Sequence, residues 1–236
     1  MKDLHSHICF GIDDGCKNIE ESISILRNME ESGFTDVFLT PHYVEDSKYT
    51  ANNKTKQAIF EELKQACLDE NININLYLGN EVFLTDNVVQ LIKNGEIKTL
   101  NNTKYILMEF SMYQKDPNTR TILYNVIKAG YIPIIAHPER YAYIDKKFED
   151  LRDLQELGVL FQGNYQSLFG KYGKIAKKNL QKMIKGNIIT FLGTDIHHNE
   201  ELHTDKLFKE IKKLVKKEDK VLDLLERNID KILNNE

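Results

Sequence analysis

The sequence has few of the residues that mark linkers, disulfide frameworks or membrane spans. Its 12 glycines and 4 prolines are too few for a linker-rich or low-complexity chain. Three scattered cysteines, Cys9, Cys16 and Cys67, lack the CxxC spacing of a metal site, so we expect reduced thiols in a cytoplasmic protein. No apolar run reaches the length of about 18 residues that a transmembrane helix needs, and the N-terminus lacks the apolar segment of a signal peptide.

The chain also has no excess of positive charge. Its 32 lysines and arginines stand against 36 acidic residues, for a formal net charge of −4. This balance argues against a nucleic-acid partner, which a basic protein would favour. The length of 236 residues, without an interior linker, predicts one domain over residues 1–236 that folds around its own core.

Short apolar segments rich in β-branched residues alternate with longer segments of helical period, which predicts an α/β fold. The predicted strands are residues 2–7, 35–41, 74–80, 103–109, 131–136, 158–163 and 188–193. The predicted helices lie near 18–32, 53–70, 85–94, 118–130, 147–157, 173–185, 201–215 and 217–234. Such alternation gives parallel strands, in an open sheet or in a closed barrel. We expect a seven-stranded (β/α) barrel because of where the polar residues fall.

Potential metal ligands stand at the ends of nearly all predicted strands. His5 and His7 are two residues apart and point to the same side of a strand. Six further residues follow the later strands: His42, Glu81, Glu109, His137, Asp195 and His197, with Asn164 in the equivalent place after the sixth strand. In a closed barrel these ends meet at one rim, where barrel active sites lie. A single histidine of this kind is commonly structural, but the joint pattern predicts a metal site.

Histidine and carboxylate ligands without thiolate suit manganese, iron, zinc or cobalt, and the carboxylate content favours manganese or iron. The candidates outnumber the ligands that one ion needs, so we expect two or three divalent ions. Paired ions of this kind stabilise both the attacking and the leaving oxygen in phosphoryl transfer.

The motifs also carry a family resemblance. The opening DLHSHICFGIDDG, followed in order by TPHY, GNEV, MEF, AHPER and TDIHH, resembles the PHP (polymerase and histidinol phosphatase) superfamily. Within it, the chain is most similar to bacterial manganese-dependent protein-tyrosine phosphatases encoded with capsule and exopolysaccharide genes. The resemblance implies a distorted seven-stranded (β/α) barrel with a trinuclear metal site.

The resemblance also implies a ligand for each ion. The first ion would be held by His5, His7, Glu81 and Asp195. Glu81 would bridge to a second ion held by Glu109 and His137, and the third ion would be held by Asp14, His42 and His197. From the residues alone, Asp13 and Asp14 in GIDDG fit a turn equally well.

Arg140 in HPER is the expected phosphate-binding residue, since a guanidinium grips phosphate with two parallel hydrogen bonds. The alternative is a surface ion pair with Glu139. The stretch after TDIHH lacks the second arginine of the family pattern, which leaves His203 or Lys206 as candidates to replace it.

Two further roles are assigned to residues near the expected rim. His197 or His198 is the candidate proton donor. Four tyrosines would either stack on a phosphotyrosine ring or pack within the protein: Tyr43, Tyr113, Tyr141 and Tyr165.

The expected activity is metal-dependent hydrolysis of a phosphomonoester by a metal-bridging hydroxide, with no phosphocysteine because CX5R does not occur. The resemblance implies a protein-tyrosine phosphatase acting on the tail of a bacterial tyrosine autokinase that controls capsule or exopolysaccharide synthesis. The enzymatic alternatives are a histidinol phosphate phosphatase and another PHP phosphodiesterase or nuclease. The non-enzymatic alternative is a scaffold protein. The oligomeric state, monomer or homo-oligomer, is left open.

Overall fold

The computed structural model describes residues 1–236 and contains nine β-strands and nine α-helices. The strands are β1 (Lys2–Asp3), β2 (Asp36–Leu39), β3 (His42–Tyr43), β4 (Asn75–Leu78), β5 (Glu81–Phe83), β6 (Tyr105–Glu109), β7 (Ile132–Ala136), β8 (Leu160–Asn164) and β9 (Phe191–Gly193). The helices are α1 (Ile19–Glu31), α2 (Asn53–Asp69), α3 (Val88–Lys93), α4 (Thr119–Lys128), α5 (Glu149–Glu156), α6 (Gly173–Lys185), α7 (Thr204–Val215), α8 (Glu218–Leu222) and α9 (Asn228–Leu233). None of the helices is both long and apolar enough to cross a bilayer.

All strand pairs are parallel, which confirms the α/β class, but the strands form two sheets. One has the order β1-β2-β4 and the other the order β3-β5-β6-β7-β8-β9. The structure shows no closed barrel, so the seven-stranded (β/α) barrel expected from the sequence is not confirmed. Two of the predicted strands, residues 35–41 and 74–80, correspond to β2 and β4. Each is followed, after a break in the chain direction, by a further short strand, β3 or β5, that belongs to the other sheet. Pro41 lies at the first break and has no N–H with which to continue a ladder.

The two ends of the strand series meet at a narrow junction. Ser6 forms an isolated parallel bridge with Ile196, where the His7 N–H donates to the Ile196 carbonyl at 2.9 Å. The buried Asp3 carboxylate reinforces this junction by accepting from the Thr194 N–H at 2.8 Å and from the Thr194 hydroxyl at 2.6 Å. The first and last strands are thus held together mainly by side chains and isolated hydrogen bonds.

The α1 helix begins and ends as its sequence predicts. The Asn18 side chain accepts from the Glu21 N–H at 2.9 Å, and the Glu21 carboxylate accepts from the Lys17 N–H at 2.8 Å. Gly33 follows the helix with a φ of 89°, which a residue without a Cβ adopts at little cost. The helix expected near 217–234 is instead divided into α8 and α9 by a π-helical turn at Asp223–Arg227.

A buried lysine ties α2 to the strand breaks. Lys56 is fully buried, and its ammonium donates to the Asn80 side-chain oxygen at 2.5 Å and to the Glu96 carbonyl at 2.9 Å. The Asn80 amide in turn donates to the Pro41 carbonyl at 2.8 Å. The breaks that follow β2 and β4 are therefore fixed to each other and to a helix.

We expect Lys56 to give the stability of the protein a specific pH dependence. Burial lowers the pKa of Lys56 from 10.5 to about 7. Between these values the unfolded chain holds a proton that the folded chain has lost, so the free energy of unfolding rises with pH by up to about 1.4 kcal/mol per pH unit. Urea titrations of the native protein should show this rise relative to Lys56→Met. The exposed Lys54→Met is the control and should track the native protein, and parallel curves for native and Lys56→Met would contradict the assignment.

Candidate metal centre

The structure brings the predicted ligands to one edge of the sheets, at the carboxyl ends of the strands or at the breaks. His5 and His7 follow β1, Glu109 ends β6, His137 follows β7, and Asp195 and His197 follow β9. His42 and Glu81 differ from expectation, because they begin β3 and β5 after the strand breaks. These two residues are direct register partners in the parallel pair. The breaks therefore set an imidazole and a carboxylate side by side.

Four wholly or nearly wholly buried residues form the first group: His5, His7, Glu81 and Asp195. The His5 Nε2 lies 3.1 Å from Glu81 Oε2 and 3.4 Å from Asp195 Oδ1. The His7 Nε2 lies 3.3 Å from each of the same two oxygens. Two ring nitrogens and two carboxylate oxygens thus meet at one point.

The second group shares Glu81 and adds His42 and Glu109. The His42 Nδ1 lies 3.1 Å from Glu81 Oε2 and 3.1 Å from Glu109 Oε1. The His137 Nε2 is 2.9 Å from the other Glu81 oxygen and 4.0 Å from Glu109 Oε2. Glu81 therefore belongs to both groups: its Oε2 contacts His5, His7 and His42, and its Oε1 contacts His137.

The third group contains Asp14, His42 and His197, as the resemblance implies, and also His7. Asp14 Oδ1 lies 3.6 Å from the Nε2 atoms of both His42 and His197. The rings of His7 and His197 are stacked with their centroids 3.9 Å apart. This group is the most open of the three, because Asp14 is exposed.

Unsatisfied polar atoms at the centre of these groups fit divalent cations. Glu81 Oε2 and His42 Nδ1 are buried and form no hydrogen bond, although they lie 3.1 Å apart. A buried carboxylate oxygen without a partner is costly unless a cation neutralises it. The donors are imidazole nitrogens and carboxylate oxygens without thiolates, a set that suits manganese, iron or zinc.

Outer hydrogen bonds orient two of the imidazoles. His5 Nδ1 contacts Gln162 Oε1 at 2.9 Å, and His7 Nδ1 contacts Asp13 Oδ2 at 2.8 Å. These contacts fix the Nδ1 side of each ring and leave the Nε2 atoms facing the carboxylates, as in many metal sites. The sequence analysis missed Gln162. Its signal is the alternation of Gln162 and Asn164 on β8, which repeats the spacing of His5 and His7.

The GIDDG segment is both a turn and part of the site. Asp13 accepts from the Gly15 N–H at 3.0 Å and from the His42 N–H at 2.9 Å, which closes the turn and ties it to β3. A Cβ at Gly15 would lie 2.0 Å from the His7 carbonyl oxygen, so only glycine allows this close approach. The alternative that Asp13 and Asp14 form a turn is correct for Asp13, while Asp14 faces the third group.

Two ligand-bearing turns have left-handed backbone. His137 has a φ of 35° and Asp195 a φ of 54°, although neither residue is a glycine. Non-glycine residues rarely adopt such values, and they cluster at functional sites where the surrounding structure supports the strain.

Opposite charges in the buried cluster shift the pKa values strongly. Burial lowers the pKa of His7, but the Asp13 carboxylate outweighs this and raises the pKa well above its ordinary value. Burial and His7 lower the pKa of His42, yet Glu81 and Glu109 raise it to about 10. Burial raises the pKa of Glu81, but the surrounding histidines hold it well below the usual range. Without a metal, His7 and His42 therefore keep protons, which a bound cation would displace.

Arg140 lies at this centre rather than at the surface. Its Nη1 donates to Asp195 Oδ2 at 2.7 Å, and its guanidinium lies over the Tyr172 ring at 4.2 Å. Asn164 donates to the same Asp195 oxygen at 2.7 Å. The alternative of a surface pair with Glu139 is wrong, because Glu139 is buried and accepts from the Asn164 N–H at 3.0 Å.

The aromatic residues at the centre differ from those expected. Tyr113 is 86% exposed, whereas three of the named tyrosines are buried and pack in the core. These buried tyrosines are Tyr43, Tyr141 and Tyr165. Two half-buried tyrosines that the sequence analysis missed lie closer, Tyr172 beneath Arg140 and Tyr49 stacked on His42 with centroids 6.0 Å apart.

Neither candidate to replace the second arginine belongs to a ligand group. His203 pairs with Glu201 at 2.8 Å and packs against Phe169 with a centroid separation of 4.9 Å. Lys206 is exposed at the start of α7.

The sequence and the fold both match known proteins. The family described as "Capsular polysaccharide synthesis, CpsB/CapC" matches residues 1–234. CapC of Staphylococcus aureus is 36% identical over 197 residues, which cover 84% of this chain and 77% of CapC. The tyrosine-protein phosphatase CpsB of Streptococcus agalactiae serotype V is 30% identical over 203 residues, covering 84% of this chain and 83% of CpsB.

A solved structure matches the whole chain. It comes from crystal structures of YwqE from Bacillus subtilis and CpsB from Streptococcus pneumoniae, described as unique metal-dependent tyrosine phosphatases. It has a TM-score of 0.93 and 28% identity, and the match covers 100% of this chain and 95% of the solved chain. These matches confirm the resemblance that the ordered motifs predict. The chain belongs to the CpsB/CapC family of capsular polysaccharide synthesis proteins.

Proposed function

We propose that the chain is a metal-dependent protein-tyrosine phosphatase. Its active site is formed by the three ligand groups at the edge of the sheets. The observation that carries this proposal is the meeting of nine predicted ligands in three linked groups around Glu81. The relatives named as tyrosine-protein phosphatases and the metal-dependent phosphatase fold support the same activity. They favour it over histidinol phosphate phosphatase, a nuclease or an inert scaffold.

The proposed ligands follow the three groups. His5, His7, Glu81 and Asp195 would hold one ion; Glu81, Glu109, His137 and His42 would surround a second; and Asp14, His42, His197 and His7 would surround a third. His7 and His42 each border two groups, so the residues fit two ions as well as three. Manganese is the proposed metal, with iron, zinc or cobalt as alternatives, because carboxylates contribute much of the donor set.

Bound divalent ions would acidify water and neutralise charge on the phosphoryl oxygens. The chain itself supplies Arg140, whose single hydrogen-bond acceptor is Asp195 and whose side chain is 25% exposed. A guanidinium has five N–H donors, so the others remain for phosphoryl oxygens. Asp195 and the Tyr172 ring hold the guanidinium from two sides, which reduces the entropy lost when phosphate binds.

His197 is proposed as a metal ligand and not as the proton donor. Its Nδ1 contacts the Asp195 carbonyl at 3.0 Å, and its Nε2 faces Asp14 at 3.6 Å. With both nitrogens engaged, the ring has none left to protonate a leaving group. Tyrosine has a pKa of about 10, so a tyrosyl oxygen leaves with little assistance compared with a serine alkoxide. The site therefore suits aryl phosphates.

The biological substrate proposed is the phosphorylated tail of a bacterial tyrosine autokinase that controls capsule or exopolysaccharide synthesis. The capsular role of the family supports this choice. Because such tails are phosphorylated where ATP is available, we also propose that the enzyme acts in the cytoplasm. The three free, buried cysteines are compatible with that compartment.

The substrate class is tested by comparing three phosphate compounds at equal concentration with added manganese. We expect rapid release of phosphate from a phosphotyrosyl peptide, slow release from histidinol phosphate and no cleavage of single-stranded DNA. Release of phosphate measured with a colorimetric reagent, and gel analysis of the DNA, give the three rates. Faster turnover of histidinol phosphate than of the peptide would favour a histidinol phosphate phosphatase.

Ligand and phosphate-binding roles are separated by two substitutions. His5→Ala should lower the metal content measured by mass spectrometry, because a buried ligand is lost. Arg140→Ala should keep the metal but lower kcat by about 10²–10³-fold, the usual effect of removing a donor to developing negative charge. The exposed Arg120→Ala serves as the matched control and should behave as the native enzyme. Native rates in both site variants would refute these roles.

The adjacent aspartates should behave differently. Asp13→Ala frees the His7 ring, so we expect manganese affinity to fall by about 10- to 100-fold with the number of ions unchanged at saturation. Asp14→Ala removes a ligand atom from the third group and should lower the number of ions bound. Calorimetric titration of metal-stripped protein measures both quantities. Identical effects of the two changes would contradict the separate roles.

A further inference from the structure

Positive charge is concentrated in one segment of an acidic chain. Residues 171–217, which include α6 and α7, contain 12 lysines, no arginine and five acidic residues. This segment therefore has a net charge of +7 within a chain of net charge −4. The two helices pack against each other, so their exposed faces are neighbours.

A lysine stripe runs along the exposed side of α6. Lys174, Lys178, Lys182 and Lys185 are exposed and follow each other at spacings of three or four residues, which places them on one helix face. The opposite face is buried through residues that include Leu180 and Met183. None of the four lysines forms an ion pair or a side-chain hydrogen bond. Four unpaired charges thus stand in a row.

The neighbouring α7 continues this surface. Lys206 and Lys209 are exposed and unpaired, and Lys216 follows at the end of the helix. Lys212 and Lys213 lie on the same helix but pair with Glu218 and Glu210 respectively. The unpaired lysines of α6 and α7 together form the surface that we call the basic face.

An apolar side chain lies within the basic face. Ile175 is 79% exposed and is flanked in sequence by Lys174. An exposed isoleucine beside lysines gains nothing from a dissolved anion, but it gains burial at the boundary of a lipid bilayer, where lysine stems also bury their methylenes. A nucleic-acid partner would favour arginine for bidentate contacts, and the segment has none.

We propose that the basic face docks on the anionic headgroups of a lipid bilayer. Clustered lysines are attracted to such surfaces over distances of about 8 Å at physiological salt. Tyr172, which precedes α6, lies against Arg140 at 4.2 Å. The docked face would therefore hold the metal centre close to the bilayer, within reach of substrates anchored there.

Vesicle sedimentation tests the proposal with the whole chain. At 0.1 M salt the native protein should sediment with vesicles of phosphatidylglycerol and phosphatidylcholine but not with phosphatidylcholine alone, and 0.5 M salt should release it. The triple variant Lys174→Glu, Lys178→Glu, Lys182→Glu should bind at least tenfold more weakly. Ile175→Ser should bind two- to threefold more weakly at unchanged net charge.

The control has the same change in net charge elsewhere. Lys54→Glu, Lys64→Glu, Lys93→Glu alters three exposed lysines outside the basic face and should keep native binding. Equal losses in both triple variants, or failure of the native protein to sediment, would overturn the proposal, as would binding of single-stranded RNA that exceeds binding to the vesicles. His5→Ala should still sediment, and the α6 triple variant should still hydrolyse a soluble aryl phosphate, so this result is independent of the proposed activity.

Discussion

The structure depends on one buried carboxylate. Glu81 is wholly buried and meets imidazoles from three separate segments, with one oxygen 3.1 Å from His5 and His42 and the other 2.9 Å from His137. A carboxylate in this position would be strongly destabilising without compensating positive charge. His5 and His42, whose pKa values are raised, provide it as protons in the metal-free chain, and divalent ions would provide it in the enzyme. The same electrostatic requirement therefore links the stability of the edge to its capacity for metal.

The sequence predicts the composition of this site better than its framework. Alternation of His5 with His7, and the recurrence of polar residues after apolar strands, identify the ligands because strand direction alone brings them to one edge. The family resemblance supplies their division into three groups, and the structure adds His7 to the third and His42 to the second. The division into two sheets could not be predicted, because the breaks at Pro41 and Asn80 depend on local hydrogen bonds that the hydrophobic pattern does not encode. The bond from the Asn80 amide to the Pro41 carbonyl is one of these.

Residues that orient the ligands were harder to recognise. Gln162 has no charge and Asp13 sits in a segment that fits an ordinary turn, so neither stands out by residue type. Their roles depend on contacts across many residues of sequence, such as the 2.9 Å contact of Gln162 with His5. The roles of the tyrosines are equally hard to predict from residue type and position in the sequence. Tyr141 follows the HPER motif yet packs in the core, where its hydroxyl donates to the Ala136 carbonyl at 2.7 Å.

The junction between Asp3 and Thr194 has a consequence for biosynthesis. A ribosome releases His5 and His7 first, yet their partners Asp195 and His197 emerge only about 190 residues later. A nascent chain therefore has no complete set of ligands, and captures no ion in the finished geometry, until its last strand is free. Metal loading is then a late event, and fragments truncated before that strand would be released without a working centre.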